Sequence, residues 1–262
     1  MIIKLIGSNA PVMEKVIFGV MMIFILTYSL SIHEFMHGYS AYLLGDDTAK
    51  LKGRLTMNPL AHLDLFGALM FLFVGFGWAK PVPVNYGKLT RLKSRGAMVR
   101  IVSIAGVTAN FLSAWIAYLL LSIVNYLVNH FSWITIVGSG NNIWLDHQSI
   151  SDGAFLAYWI VAQLLFYLFY YNLLLMAFNL LPFPPLDGYH ILETLIPYRF
   201  RDTFHKYEKY FGFGFMALIV MGLFMGTSPL FWIIEKIQIP FRFIIQTPLD
   251  WLSPLNEIFK IV

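Results

Sequence analysis

The chain has 262 residues, of which 58% are hydrophobic and only 12% charged. Soluble domains run at roughly 45–50% apolar and about 25% charged, so this composition excludes a soluble enzyme and an intrinsically disordered protein. Cysteine is absent, which removes disulfides and thiolate metal ligands, and the formal charge of +4 poses nucleic acid or membrane topology as the use of the basic residues.

Residues 16–45 come first, with 30 residues and one full charge, Glu34. A hydrocarbon core of about 30 Å needs roughly 20 apolar residues in a helix, and in lipid a helix satisfies its own backbone polar groups. This stretch therefore predicts a span. Ser29-Leu30-Ser31 has the look of a signal-peptide cleavage site, but the apolar helix runs on through Leu44, too far for an h-region. Residues 66–79 (FGALMFLFVGFGWA) number only 14 and predict a re-entrant or extended element. Residues 101–128 and 154–181, with 28 uncharged residues each, and 210–234, with 25, complete four predicted spans. Residues 235–262 carry Glu235, Lys236 and Arg242 and suit either an interfacial amphipathic segment or a return through the membrane.

The expected fold class is an all-α polytopic membrane protein. It has a three-helix catalytic core, a small re-entrant or extended element and an additional C-terminal span. The expected organisation is one domain, 1–262, with its core at about 16–190 and C-terminal membrane segments at about 205–262. Nine Lys/Arg fall within 46–100 and four within 182–209, against none in 129–153. By the positive-inside rule the first two regions face the cytoplasm and the third faces outward. Lys4 and Lys15 then lie outside, against the trend. The basic residues thus read as topology in a cytoplasmic membrane, with the bilayer as partner and no nucleic acid.

Inside the first span sits His33-Glu34-Phe35-Met36-His37. Positions i and i+4 of a helix lie one above the other, so both imidazoles can reach one zinc, with Glu34 beside it as general base. A packed polar face is the alternative. However, an acidic side chain near a helix centre costs about 2.5–3.5 kcal/mol or more in a bilayer, which favours a metal site. His37 precedes Gly45 by eight residues, about 12 Å of helix from the cytoplasmic end. A catalytic zinc takes a third protein ligand. Asp46, Asp47, Asp64 and Asp187 all lie on the right side. Asp187 ends the stretch Asn179-Leu180-Leu181-Pro182-Phe183-Pro184-Pro185-Leu186-Asp187-Gly188, whose prolines prevent a regular helix. Such backbone at membrane depth is tolerated where protein or a water-filled cavity covers it.

HEFMH in a first span, followed by NLLPFPPLDG near the end of a later one, closely resembles the site-2 protease family of intramembrane zinc metalloproteases. The family's NxxPxPxLDG pattern is matched at Asn179, Pro182, Pro184, Leu186, Asp187 and Gly188. Residues 45–64 (GDDTAKLKGRLTMNPLAHLD) and 77–85 (GWAKPVPVN) are similar to compact prokaryotic members. The resemblance covers about residues 28–190. It implies that His33, His37 and Asp187 bind one catalytic zinc, that Glu34 is the catalytic acid/base, and that Asn179 bonds the substrate strand or the oxyanion. Gly106-Val107-Thr108-Ala109-Asn110 matches the family's GxxxN pattern, which places Asn110 with the same support. Val107 stands where many members carry proline, and Leu65 stands in place of another usual proline. Without the resemblance, Asn110 reads as helix-packing glue beside a small contact residue.

The resemblance implies an enzyme that hydrolyses peptide bonds within substrate transmembrane segments near the cytoplasmic face, in regulated intramembrane proteolysis. A regulatory membrane partner or an oligomer would be compatible with it. A metal transporter or sensor and an inactive scaffold are the other classes; Glu34 and the complete motif argue against both. Lys80-Pro81-Val82-Pro83-Val84-Asn85 is extended by composition and suits a sheet edge that presents substrate. His62 reads as loop packing or capping, while His130 and His147 fall on the outer side. His190 and His205 read as interfacial or cytoplasmic. Trp78, Trp133 and Trp144 fit interfacial belts.

Overall fold

A computed structural model describes residues 12–67, 79–137, 144–146, 151–225, 229–253, 256 and 258. The re-entrant element expected at 66–79 falls almost entirely outside the described residues. The elements in order are α1 (Val12–Leu43), α2 (Thr48–Leu51), α3 (Pro59–His62), a 3-10 turn at Tyr86–Lys88, and α4 (Arg95–His130). They are followed by β1 (Thr135–Val137), β2 (Trp144–Asp146), α5 (Asp152–Asn179), α6 (Asp187–Leu195), α7 (Tyr198–Met225), α8 (Pro229–Gln246) and a 3-10 turn at Asp250–Leu252.

Three described helices are long and apolar enough to cross a membrane: Lys15–Leu43 within α1, Arg95–His130 and Asp152–Asn179. Only 33–39% of their most apolar windows is buried inside the protein, so most of that surface faces outward, as lipid contact requires. Within 210–234, α7 covers the residues up to Met225 and α8 those from Pro229 on, and 226–228 lie outside the described residues. The loop expected outside the membrane holds a short antiparallel hairpin, with Thr135 opposite Asp146 and Val137 opposite Trp144. Two three-residue strands do not alter the helical class.

The chain divides into two compact units. The first comprises 1–110 and 174–236, and the second 111–173 and 237–262. In the first unit, Met22, Ile25, Ser29, His33, His37, Ala41 and Leu44 are all buried, at the 3.6-residue rhythm of one helix face. Ala41 and Leu44 pack with Leu89, Met98 and Val102, with Val84, Tyr86 and Val99 against them, which ties the end of α1 to the start of α4. Thr27 and Ser31 turn their hydroxyls back to Ile23 O at 2.8 Å and Thr27 O at 2.6 Å, so an apolar helix carries them without a solvent partner.

In the second unit, Tyr118 and Phe169 lie fully buried with ring centroids 4.9 Å apart, and Phe111 of α4 meets Phe241 of α8 edge to face at 5.7 Å.

Candidate metal centre

α1 and α4 supply the frame. Val102, Gly106 and Asn110 are spaced i, i+4, i+8 and so share one face of α4. Opposite them, His33 and His37 share one face of α1. The pairing is antiparallel: His33 Nδ1 donates to Asn110 Oδ1 at 2.7 Å, and His37 Nδ1 donates to Val102 O at 2.7 Å. A backbone carbonyl accepts only, so the His37 proton sits on Nδ1 and its Nε2 presents a lone pair. Asn110 donates its own Nδ2–H to Ser29 O at 3.1 Å, which leaves its Oδ1 as acceptor and fixes the same tautomer in His33.

Gly106 lies between these two anchors. A Cβ there would strike His37 Nε2 and come within 2.7 Å of His33 Cε1 and of His37 Cε1. Only glycine lets the rings occupy this space.

Asp187 arrives from the other side of the sequence. Residues 180–186 turn without regular helix, and Asp187 opens α6, where the helix dipole favours an anion. Gly188 admits the close approach, because a Cβ there would overlap the carbonyl oxygens of Leu180 and Leu181. As a result Asp187 Oδ2 stands 3.3 Å from His33 Nε2 and 3.2 Å from His37 Nε2, and the two Nε2 atoms are 3.0 Å apart.

Three acceptor atoms thus converge on one point. The imidazoles are 5% and 9% exposed, respectively for His33 and His37, and Asp187 Oδ2 is buried with no hydrogen-bond partner. Such a triangle is repulsive unless a cation joins it. Tetrahedral zinc with bonds of about 2.0–2.1 Å holds its ligand atoms roughly 3.3 Å apart. Two imidazole nitrogens and one carboxylate oxygen are also the donor set of a catalytic zinc site, and both imidazoles carry the outer hydrogen bond that such ligands need. The residues fit the ion.

Of the other carboxylates considered, Asp46 accepts from Thr48 N–H at 3.0 Å and Asn85 N–H at 2.6 Å. Asp47 pairs with Lys88 at 2.8 Å, and Asp64 accepts from Gly67 N–H at 2.8 Å. Each has work in its own loop. Glu34 accepts the Val82 backbone N–H on Oε2 at 2.7 Å. Asn179 donates back to Leu175 O of its own helix at 3.0 Å. His62 is buried and bonds Thr56 O at 2.7 Å, a loop-packing role. His205 lies 3.3 Å from Glu193, and His130 stacks on Tyr126.

Sequence reasoning did not see the Val102 carbonyl or the Val82 amide, since a backbone group leaves no signature in residue type. Gly106 was visible only as part of a motif. Its i+4 spacing to Asn110 was the available signal.

A histidine pair one helical turn apart with Glu34 between them, joined by a carboxylate from a distant loop and set in a membrane-capable helix, defines a metallohydrolase of the HExxH class. The chain belongs to Peptidase family M50, the site-2 protease family, whose profile matches residues 21–223. It is similar to YwhC of Bacillus subtilis strain 168, which is named as a zinc metalloprotease. The two are 40% identical over 196 residues, covering 75% of this chain and 77% of that relative. Rip2 of Mycolicibacterium smegmatis, named likewise, is 28% identical over 196 residues, 74% of this chain and 62% of its own. Rip2 of Mycobacterium tuberculosis strain H37Rv is 29% identical over 171 residues, 63% and 53% of the two chains. No solved structure gives a match. The protein is a multi-pass membrane zinc metalloprotease.

Proposed function

We propose that this protease cuts peptide bonds within transmembrane segments of membrane-protein substrates near the cytoplasmic face of the cell membrane, as a step of regulated intramembrane proteolysis. The observation that carries the reading is the convergence of His33, His37 and Asp187 within 3.0–3.3 Å on a helix long enough to span a bilayer. The orientation rests on the basic loops 46–100 and 182–209. Family resemblance adds that another protease first trims the substrate's outer part.

In this reading His33, His37 and Asp187 hold one zinc. When bound, the ion acts as a Lewis acid toward the scissile carbonyl and lowers the pKa of water. Asn110 and Val102 O orient the two imidazoles and keep their Nε2 atoms unprotonated. Glu34 takes a proton from the attacking water and returns it to the leaving amine, a role that contributes typically 10²–10⁴-fold. Asn179 turns from Leu175 O to the substrate strand or the oxyanion. The extended segment 79–85 reaches Glu34 through Val82, which supports its role in presenting a substrate segment unwound by Gly, Pro or Asn.

The test compares purified wild type and Glu34→Gln in bound zinc and in cleavage of a helix-broken membrane substrate. Zinc retained with cleavage abolished is the expected result. Cleavage persisting in Glu34→Gln would overturn the role of Glu34, and zinc transport surviving without any cleavage in wild type would point to a transporter.

A further inference from the structure

Segment 79–85 is clamped along its backbone at both ends. Lys80 N–H donates to His62 O at 2.9 Å, and Arg54 donates through Nη2 to the carbonyls of Lys80 and Pro81 at 2.8 and 3.3 Å. Further on, Asn85 N–H donates to Asp46 Oδ2 at 2.6 Å. Asp46 and His62 are 1% and 2% exposed, so each end is held by a buried residue, through the carboxylate of Asp46 and through the backbone carbonyl of His62.

Between the clamps, Val82 N–H points at Glu34 Oε2 at 2.7 Å. Pro81 and Pro83 have no N–H, so Val82 carries the one amide donor of residues 81–83. Gly38 lies one turn beyond Glu34 on the same face of α1, and a Cβ there would stand 3.0 Å from Val82 Cγ1. The missing Cβ lets the segment reach the helix at this level.

We propose that the Val82 backbone amide is a positioning group for Glu34. It rests on the reading of Glu34 as the general acid/base. A glutamate has three rotatable bonds, and a freely turning carboxylate meets the attacking water in few of its rotamers. The amide fixes Oε2 and leaves Oε1 to exchange the proton. Asp46, His62 and Arg54 act one step further out, by holding the segment that carries the amide. The family-like stretches 45–64 and 79–85 then have a shared purpose: a frame for one hydrogen bond to the catalytic carboxylate.

The experiment replaces Val82 by its α-hydroxy acid, which converts the 81–82 peptide bond to an ester and deletes the N–H while retaining the side chain. Val82→Ala is the companion that keeps the amide and shortens the side chain. Full-length protein in detergent or nanodiscs is assayed for kcat, KM and bound zinc. The ester should lower kcat about 10- to 100-fold, the scale of one lost hydrogen bond to a charged group, with KM and zinc unchanged, and Val82→Ala should keep most of the wild-type kcat. An unchanged kcat in the ester, a loss of zinc that accounts for the fall, or an equal fall in Val82→Ala overturns the proposal. Glu34→Gln assayed alongside separates failure of this inference from failure of the acid/base role itself: activity in Glu34→Gln defeats the role, whereas an inactive Glu34→Gln with a fully active ester defeats only the positioning.

Discussion

Two clusters of polar side chains are buried in apolar helices, one in each unit, and they are built on opposite plans. In the second unit Asn125 donates through Nδ2 to Asn256 Oδ1 at 2.8 Å, and its Oδ1 accepts the Tyr158 hydroxyl at 3.1 Å. Its backbone carbonyl accepts from Ser253 at 3.2 Å. Asn256 in turn donates to Ser122 at 3.3 Å and to Leu249 O at 2.9 Å. This knot closes on itself: donors meet acceptors, and the result is a tether for the C-terminal segment. In the first unit, by contrast, the outer nitrogens of His33 and His37 are satisfied while their inner nitrogens and Asp187 Oδ2 face one another with no donor among them. A satisfied polar cluster holds helices together. One that is satisfied on its outside and left electron-rich within has the make-up to receive a cation.

Gly106→Ala should break the second plan most severely. The added methyl meets both imidazoles, so bound zinc and cleavage are expected to fall together to background, while Gly153→Ala, whose Cβ would meet nothing within 4 Å, should change stability by less than about 0.5 kcal/mol. Zinc titration and thermal unfolding of the two variants check this.

Asn110→Ala and Asn125→Ala sharpen the comparison further, because the same chemical change is expected to fail differently in the two clusters. Removing the partner of His33 should weaken zinc affinity about 10- to 100-fold. Removing Asn125 should leave zinc affinity at the wild-type value and lower stability by about 1–3 kcal/mol, as partners in a buried network go unsatisfied. Competition with a chelator and denaturant unfolding read the two quantities separately.

The smallest effect belongs to the exposed Asp47–Lys88 pair. Hydrogen bonding to Lys88 holds the Asp47 carboxyl below its ordinary 3.8, and the same contact holds the Lys88 ammonium above its ordinary 10.5. A depressed carboxyl contributes stability that is present above its unfolded pKa and lost as pH falls through its folded one. A raised ammonium contributes stability that is present below its unfolded pKa and lost as pH rises through its folded one. Asp47→Asn should therefore lower the melting temperature slightly and by a constant amount across neutral pH, with the difference from wild type shrinking only in strong acid or strong base.

Much of this was legible in the sequence, for reasons that differ by residue. His33, Glu34 and His37 stand out because polar groups are costly in an apolar helix, and Asp187 because three prolines halt regular structure just before it. The three described spans follow from length and hydropathy. The pairing of 135–137 with 144–146 was missed because these strands are too short for alternation to register. The register of α1 against α4 was hidden for a deeper reason. It is set by the Asn110 side chain and the Val102 carbonyl that hold the two imidazoles, with room left by Gly106, and the backbone carbonyl leaves no mark in residue type.

If His33, His37 and Asp187 form one zinc site, the zinc content of purified wild type and Asp187→Asn, measured by elemental analysis, reads it out without any assay of activity. Wild type should carry one zinc per chain and the variant almost none, since an amide in place of the carboxylate removes the anionic ligand. Equal zinc in both proteins would contradict that site.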